Sequence, residues 1–469
     1  MTSNNHRGVV SRSGNTRLSR RGLGKGAVAS ALAVGAAGGQ WPNVAGQEKT
    51  TITMWFDSTS GSETAECRIG AAVDPFNEQS TTVMVESRLQ PNRWDATRTA
   101  LAGGAGPDVV YTPGPAFAVQ VAEAGQFLSL DEFATQYGWN ERFAPWALEL
   151  GKVKGTLFSI PNQVETLVLY YNQTLFEENG WAPPTTIDEL TALSETINGA
   201  GIIPFAHGNS EFRDANEWFV GEYLNHIAGP DKVYQALTGQ AQWTDPEFVD
   251  AITALNEAQQ NGWYMGGLDR YYTTTFADAN DALAAGEAAM KIEGSWAVAD
   301  LNTFFGEAGG YDTEWAWVPM PSASGEAIYD LGIGSTVSIN TNAPNPDAVA
   351  EFIDYLFSSE TQASLVVDCG DSPASVPIEA GALAGVDPRY AEILTAQDEI
   401  SRTGGYGYTT WTFWPSATRT HLVENIERVW GGEITVEEYL QGMQDVFDGE
   451  LADGTVPPVP DRSATPVSG

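Results

Sequence analysis

The chain of 469 residues has few basic side chains: Lys and Arg total 23 against 61 Asp and Glu, which gives a formal net charge of −38. Such an acidic surface repels phosphate backbones and anionic lipid headgroups. We therefore expect no nucleic-acid partner and no attachment to a membrane surface by charge. The length leaves room for roughly two to four domains, so a sizeable core is available.

Cysteine and histidine are scarce as well. The chain has two cysteines, Cys67 and Cys369, and four histidines, His6, His207, His226 and His421. None of them stands in a C-x-x-C or H-E-x-x-H spacing, so the usual zinc and thiol-redox motifs are missing. G-x-S-x-G, Walker and dinucleotide motifs are missing too. These absences predict a protein without a metal or another cofactor, and one that is not an enzyme.

Residues 1–47 differ from the rest because no acidic residue occurs before Glu48, while six basic residues do. The pair Arg20-Arg21 precedes an apolar run over 26–39 and small residues around Ala45, which is the order of an export signal. The apolar run is shorter than the roughly 20 residues of a membrane-spanning helix. We predict a cleaved twin-arginine leader, and a protein at the extracellular face of the cell envelope or in the periplasm. The alternative is a disordered basic tail.

Export brings the two cysteines into an oxidising environment, where disulfides form and persist. A bond between Cys67 and Cys369 closes a loop of about 300 residues, which in the chain-entropy model is worth about 3–5 kcal/mol. Two buried free thiols are the alternative.

Strand and helix patterns alternate along the first part of the mature chain. β-rich runs at 51–56, 83–87 and 107–111 are each followed by a turn and a helical pattern, which predicts an α/β fold with a largely parallel sheet. Ligands bind beyond the carboxyl ends of the strands in such sheets, here at loops 57–62 and 112–115. Helical patterns dominate from 187 to about 292, and the Pro-rich end of the chain predicts a disordered tail over 458–469.

Six short segments stand in one order behind the predicted leader, and together they resemble a known family. The segments are 51–57, 106–111, 160–161 with 164–172, 289–296, 331–335 and 348–353. In this order the chain resembles the extracellular solute-binding proteins of family 1, the carbohydrate receptors of ABC importers, and is similar to maltose-binding protein. The resemblance extends over about 51–449.

The resemblance implies a two-lobe periplasmic-binding-protein type II fold with a ligand cleft between the lobes. By analogy, lobe one comprises 50–163 plus 333–385, and lobe two comprises 164–332 plus 386–457. Cys67 and Cys369 then belong to the same lobe, where a bond between them leaves lobe closure free. The implied protein is a monomer that closes on a neutral mono- or oligosaccharide and delivers it to the permease subunits of an ABC transporter.

The resemblance also assigns carboxylates to the cleft. Sugar hydroxyls donate and accept hydrogen bonds, and bonds to a charged group are worth about 1.5–3 kcal/mol each. Asp57, after the first strand, and Glu165 are placed by the resemblance to accept from hydroxyls. The alternatives are a helix-capping aspartate for Asp57 and a solvated strand-edge glutamate for Glu165.

Sugars also have apolar C–H faces, which suit aromatic rings. With 15 Trp, 16 Tyr and 19 Phe the chain is rich in rings. Trp296 stands where the family carries a stacking ring, and Trp414 and Trp218 are further candidates; each is otherwise a packed core residue. The weaker candidates for ligand binding are Tyr111, Asn162, Gly332 and Gly334.

Two other functions remain open. A secreted glycoside hydrolase also uses two carboxylates and a row of aromatic rings. A family-1 receptor could instead take a non-sugar solute such as a polyol. Loops 58–61 and 112–115 lack the charged residues that maltose receptors use there, so we do not expect maltose specificity.

Overall fold

The computed structural model describes residues 49–58, 62–378 and 381–462. The predicted leader over 1–47 lies outside the described residues, as does the end of the predicted tail, 463–469. All described residues belong to one unit of the chain, distinct from residues 1–47.

The strands follow the alternation of apolar and polar residues that buries one face of a sheet, as in β1, where Ile52, Met54 and Phe56 are buried and the residues between them are not. In chain order the described strands are β1 Thr50–Asp57, β2 Val83–Gln90, β3 Val109–Thr112, β4 Lys152–Val153, β5 Thr156–Leu157, β6 Ile160–Glu165, β7 Leu167–Asn172, β8 Ile203–Phe205, β9 Ala288–Gly294, β10 Trp315–Val318, β11 Tyr329–Ile339 and β12 Tyr406–Tyr408.

Two sheets organise these strands. Sheet I has the order β12-β11-β3-β1-β2, with β6 also paired to β11, and sheet II has the order β10-β7-β9-β8. A single residue, Thr166, separates β6 of sheet I from β7 of sheet II. The end of β6 is therefore a place where the two sheets come close together.

The strand directions correct part of the sequence expectation. β1 is parallel to β2 and β3, as the alternating pattern predicts. However, β11 is antiparallel to β3 and β6, and β7 is antiparallel to β9 and β10. Both sheets are therefore mixed: β8 with β9 and β11 with β12 are parallel pairs connected through helices, whereas the other described pairs formed after β3 are antiparallel.

Helices cover both sheets. In chain order the described helices are α1 Glu63–Arg68, α2 Asp74–Gln79, α3 Arg93–Ala102, α4 Pro115–Glu123, α5 Asp131–Tyr137, α6 Trp139–Arg142, α7 Pro145–Glu149, α8 Gln173–Asn179, α9 Ile187–Gly199, α10 Asn216–Tyr223, α11 Pro230–Leu237, α12 Pro246–Gln260, α13 Leu268–Tyr271, α14 Phe276–Ala284, α15 Ala297–Phe304, α16 Gly306–Gly309, α17 Pro346–Leu356, α18 Ser359–Cys369, α19 Pro388–Thr403, α20 Thr410–Phe413, α21 Ser416–Trp430 and α22 Val436–Asp453. Within the described part of the chain, no helix is both long enough and apolar enough to cross a membrane.

Local sequence explains where several helices begin. Thr186 caps α9 by accepting a hydrogen bond from the backbone N–H of Glu189 at 3.2 Å, and the Glu189 carboxylate accepts from the Thr186 N–H at 3.3 Å. Thr275 and Thr435 make the same capping box at the starts of α14 and α22. Each box satisfies backbone donors that a helix N-terminus leaves unpaired.

The predicted lobe boundary at 332/333 falls inside β11. Residues 329–331 of this strand pair with β12, whereas residues 332–339 pair with β6 and β3. One strand therefore connects two different surroundings, which suits a crossover between lobes. The lobe boundaries themselves stay a prediction.

The structure contains the bond between Cys67 and Cys369, with their Cα atoms 5.8 Å apart. Cys67 lies in α1 and Cys369 ends α18, so the disulfide fastens these two helices to each other. No free cysteine is found in the described residues.

The described part of the C-terminal tail corrects the expectation of disorder. The Tyr408 hydroxyl donates to the Pro460 carbonyl at 2.8 Å, and Arg462 Nε donates to the Gly404 carbonyl at 2.7 Å. Val459 packs against the core. These contacts hold residues 458–462 against the body. A Pro-rich segment can still be ordered in this way, because its carbonyls and side chains exchange hydrogen bonds with neighbouring parts of the chain.

Candidate functional site

The side chain of Glu165 lies where β6 ends and the chain passes into sheet II. Glu165 is 6% exposed and stands opposite Gly332 in the pairing of β6 with β11. Its carboxylate occupies the space above Gly334, where a Cβ atom would collide with it. Gly334 is therefore a glycine because the carboxylate needs that space.

Burial is the main influence on Glu165 and raises the pKa of its carboxyl to about 8; the neighbouring Asp371 carboxylate adds to this, and Arg68 opposes it. Among the described residues no group donates a hydrogen bond to this carboxyl. A buried polar group without a partner is costly. Glu165 is thus available to exchange hydrogen bonds with a ligand.

Arg68 and Asp371 form an ion pair beside Glu165. Arg68 Nε donates to both carboxylate oxygens of Asp371 at 3.0 and 2.9 Å, and a terminal nitrogen of Arg68 lies 2.5 Å from Oδ1. Burial disfavours the charge on Arg68, but the Asp371 carboxylate and these hydrogen bonds outweigh burial and raise the Arg68 pKa.

The disulfide positions this ion pair. Arg68 directly follows Cys67, and Asp371 stands two residues after Cys369. The covalent bond between the helix ends therefore keeps Arg68 and Asp371 facing each other next to Glu165. We expect the disulfide to matter for the shape of the site as well as for stability.

Tyr111 and Asn162 lie together on neighbouring parts of sheet I. Asn162 Nδ2 donates to the Tyr111 hydroxyl at 2.7 Å and to Ser335 Oγ at 2.8 Å, and Ser335 Oγ donates to Gln163 Oε1 at 2.6 Å. Burial raises the pKa of the Tyr111 phenol, and Arg68 opposes the increase. We call Arg68, Tyr111, Asn162, Glu165 and Asp371 the polar group.

Asp57 and Arg93 border the polar group. The backbone N–H of Arg93 donates to Asp57 Oδ2 at 3.3 Å, and the Arg93 guanidinium lies 4.8 Å from the centre of the Tyr111 ring. Burial lowers the pKa of Arg93, while the nearby Asp57 carboxylate opposes this effect. Asp57 accepts from the first turn of α3, which partly fits the capping alternative and also keeps it beside Tyr111.

Three indole rings lie together on the side of sheet II. The ring centre of Trp296 is 5.3 Å from that of Trp218 and 6.0 Å from that of Trp411. Trp218 and Trp411 are 7% and 5% exposed, whereas Trp296 is half-buried. We call these three residues the tryptophan group.

Residues adjacent to the tryptophan group lie close to residues adjacent to the polar group. A Cβ atom placed on Gly114 would lie 3.3 Å from both Trp411 Cδ1 and the Ile333 carbonyl, and Ile333 directly precedes Gly334. On the other side, Ser295, next to Trp296, lies 3.3 Å from Ser372, next to Asp371. Carboxylate and indole surfaces therefore line the same junction between the sheets.

Two residues that were predicted to bind the ligand, Trp414 and Gly332, are packed against other parts of the protein. Trp414 is fully buried, with its ring 5.4 Å from that of Trp243 in a cluster of aliphatic and aromatic side chains. We correct its assignment, because a ring enclosed by core side chains has no face left for a ligand. Gly332 packs against Thr409, whose hydroxyl would lie 2.5 Å from a Cβ atom there.

Sequence reasoning missed Arg68, Arg93, Asp371 and Trp411. Each stands on a helix or loop that comes near the site only in the folded chain. Trp411 had one usable signal, because it lies three residues before Trp414 in a ring-rich stretch. Arg68 and Asp371 are adjacent to the two cysteines, and the predicted disulfide could have brought them together.

The two sheets, the crossing strands and the groups at their junction define an α/β solute-binding architecture. The sequence model of the bacterial extracellular solute-binding proteins matches residues 71–382. The chain therefore belongs to this family, which confirms the resemblance.

Individual relatives agree with this assignment. The chain is 23% identical to a probable sugar-binding periplasmic protein of Brucella melitensis over 68% of this chain and 73% of that one. It is 24% identical to the maltotriose-binding protein of Pyrococcus abyssi over 61% of this chain and 58% of that one. A solved chitin oligosaccharide binding protein superimposes with a TM-score of 0.71 at 20% identity, covering 86% of this chain and all of that one. The two-lobe fold is thereby confirmed.

Proposed function

We propose that this protein is the extracytoplasmic substrate-binding component of an ABC importer and that it binds a neutral mono- or oligosaccharide at the junction of the polar and tryptophan groups. Lobe closure holds the sugar, and the closed form delivers it to membrane permease subunits. Ligand binding shifts an equilibrium between open and closed forms by the difference in affinity for the two.

One observation carries the proposal: Glu165, a buried carboxyl to which no described residue donates a hydrogen bond, borders the same junction between the sheets as a cluster of three indoles. Indole faces suit the C–H surfaces of a sugar ring, and carboxyl, amide and phenol groups suit its hydroxyls. The names of the relatives, which describe sugar and maltotriose binding, point in the same direction.

The polar group favours a neutral guest. Arg68 is already neutralised by Asp371, and Asp57 lies beside Arg93. An anionic ligand would have to displace or outcompete these carboxylates, whereas hydroxyls can donate to them without a change in charge. A sugar therefore fits better than a phosphate or carboxylate ligand.

The same geometry argues against hydrolysis. A glycosidase needs one carboxyl that protonates the leaving oxygen and a second that acts as nucleophile or base. Asp371 is held by Arg68 through both of its oxygens, so it cannot rotate freely toward a glycosidic bond. We therefore propose a binding protein and not an enzyme, acting as a monomer at the outer face of the cell envelope.

Thermal unfolding against a panel of saccharides tests the proposal. A ligand that binds only the folded protein stabilises it by RT ln(1 + [L]/Kd), so a narrow set of sugars should raise the Tm. Calorimetric titration of the positive sugars then gives the affinity. A rise with polyols but with no sugar would favour the non-sugar receptor, and release of reducing sugar on incubation would favour the hydrolase.

A further inference from the structure

A second cluster of polar side chains lies away from the junction, inside the protein. Glu222 lies in the last turn of α10, and His226 lies in the π-helical turn Leu224–Ala228 that follows. Asp330 is near the start of β11. The three side chains are fully buried, with 0%, 1% and 1% of each residue exposed. Neither the sugar site nor the core needs such a cluster.

The side-chain oxygens and nitrogens of Glu222, His226 and Asp330 make no hydrogen bond of normal geometry among the described residues, although Glu222 and Asp330 face each other, Asn225 lies near Asp330, and the Met320 and Pro321 backbone lies near His226. Such atoms are rare in folded proteins, because desolvation without a partner is costly. The imidazole Nε2 faces both acids: it lies 3.3 Å from Glu222 Oε2 and 3.7 Å from Asp330 Oδ1. Three side chains therefore converge on one small space.

The charge of the cluster also needs a partner. When ionised, the two carboxyls bring two negative charges, and among the described residues the basic side chain within 4.0 Å of them is the His226 imidazole, which is charged only when protonated. Arg462 acts on Asp330 by charge, but its guanidinium is paired with the Asp231 carboxylate at 3.4 Å. A divalent cation would cancel both negative charges and satisfy the orphaned atoms together.

We propose that Glu222, His226 and Asp330 form a structural binding site for a divalent transition-metal ion such as Zn²⁺ or Mn²⁺. One ligand atom from each residue lies within 4.8 Å of the others. Ligands about 2.0–2.1 Å from a tetrahedral zinc ion stand roughly 3.3–3.4 Å apart, close to the separations around His226. Mixed imidazole and carboxylate ligands suit Zn²⁺ and Mn²⁺, which favours these ions over Ca²⁺.

The local backbone supports a ligand role. Glu222 and His226 are four residues apart, so a helical turn places them on one face. His226 stands in a π-helical turn, a rare conformation that is frequent at functional sites. Gly407 lies against Asp330, and a Cβ atom there would collide with the carboxylate and push it out of the cluster.

The position of the site suggests what the ion does. Trp218 lies on α10 one turn before Glu222, and Gly332 and Gly334 follow Asp330 on the same face of β11. A cation bound by Glu222 and Asp330 would therefore fasten the helix that carries one ring of the tryptophan group to the strand beneath Glu165. It would act on stability and on the alignment of the sugar site without touching the sugar.

Metal analysis of the untagged full chain tests this proposal. The protein is unfolded in guanidinium with EDTA, keeping the disulfide intact, and refolded with excess Zn²⁺ or Mn²⁺, because a fully buried site loads during folding. After gel filtration we expect about one equivalent of metal per chain and a Tm at least about 3 °C above that of protein refolded with EDTA.

Substitutions locate the ion. Glu222→Gln and Asp330→Asn should each reduce bound metal at least about tenfold and remove the Tm difference between metal and EDTA. His421→Gln, at a half-buried histidine that contacts the Tyr439 carbonyl at 3.1 Å, should leave both unchanged. Metal in the wild type below about 0.1 equivalent with no Tm shift, or metal retained by both acid variants, would overturn the site; a shared proton then balances the carboxyls. Neither result depends on whether a sugar binds.

Discussion

Two regions of this protein are rich in tryptophan and have different roles. In the tryptophan group, Trp296 is half-buried, and residues next to Trp296 and Trp411 lie close to residues next to the polar group. In the core beneath α21 and α22, Trp243 and Trp414 are fully buried among aliphatic and aromatic side chains. The comparison teaches that the number of rings in a segment does not identify a sugar site; the polar groups next to the rings do.

The contrast extends to two residues of one short segment. Trp411 in α20 contacts Trp296, while Trp414, at the end of the same helix, packs on Trp243. α20 ends at Phe413, and Trp414 and Pro415 are extended before α21 begins at Ser416. This change from helical to extended backbone sends one indole to the junction and the other into the core.

The largest expected effect separates these two roles. Trp414→Ala should destabilise the protein by about 3–5 kcal/mol, because it leaves a large cavity in the core, and should leave sugar affinity of the folded protein within about twofold. Denaturant unfolding and calorimetric titration measure the two quantities. A large loss of affinity at unchanged stability would return Trp414 to the sugar site.

Removing the disulfide tests whether it positions Arg68 and Asp371 in the polar group. Cys67→Ser with Cys369→Ser should cost about 3–5 kcal/mol, since the bond closes a loop of about 300 residues. The affinity should fall as well, because Arg68 and Asp371 lose their fixed separation. Wild type reduced with a thiol reagent is the control for packing, because it loses the bond but keeps both cysteine side chains. An affinity unaffected by the double change would show that the ion pair positions itself.

The pH dependence of stability tests the unusual carboxyl of the polar group. Because burial raises the pKa of Glu165 from 4.5 to about 8, the folded protein holds a proton that the unfolded chain releases. This contribution is complete below about pH 4.5 and is lost as the pH rises through about 8. Relative to Glu165→Gln, wild type should lose about 2 kcal/mol between pH 6 and pH 8.

Glu86→Gln is the matched control for this profile, since Glu86 is an exposed glutamate on β2. Its difference from wild type should stay constant over the same range. Parallel profiles of wild type and Glu165→Gln would mean that the Glu165 carboxyl is ionised and solvated, contrary to its place in the polar group.

The smallest free-energy effect is expected at the tryptophan group. Trp296→Ala should weaken sugar binding by at least about tenfold, about 1.4 kcal/mol, with little loss of stability. Trp317, another half-buried tryptophan of sheet II, contacts Tyr329 and lies outside the tryptophan group, so Trp317→Ala should keep the affinity. Equal losses from both variants would mean that Trp296 acts through general packing of the sheet.

Much of the fold follows from local patterns. The alternation in β1 and the parallel arrangement of β1, β2 and β3 agree with the sequence analysis. The polar stretch 162–165 has no apolar strand pattern, yet it belongs to β6, because pairing with β11 satisfies its backbone groups. Strand directions after β3 depended on such long-range pairing.

Some residues of the candidate site were predicted from the sequence, and others were found only in the structure. The resemblance pointed to Glu165 and Trp296, which border one junction in the structure, whereas Trp414, a further ring candidate, lies in the core. Arg68, Asp371 and Trp411 carry no local signature of ligand binding. Arg68 and Asp371 become part of the polar group only because the fold brings together two segments that lie about 300 residues apart in sequence.

The sequence by itself determined the acidic surface, the α/β class, the family and the cysteine pair available for bonding, since these depend on composition, periodicity and motif order. Tertiary structure decided which tryptophans border a buried carboxyl, which arginine neutralises Asp371, and where Glu222, His226 and Asp330 converge. The physical reason is that burial and charge balance are properties of a side chain's neighbours in space, and those neighbours come from distant parts of the chain.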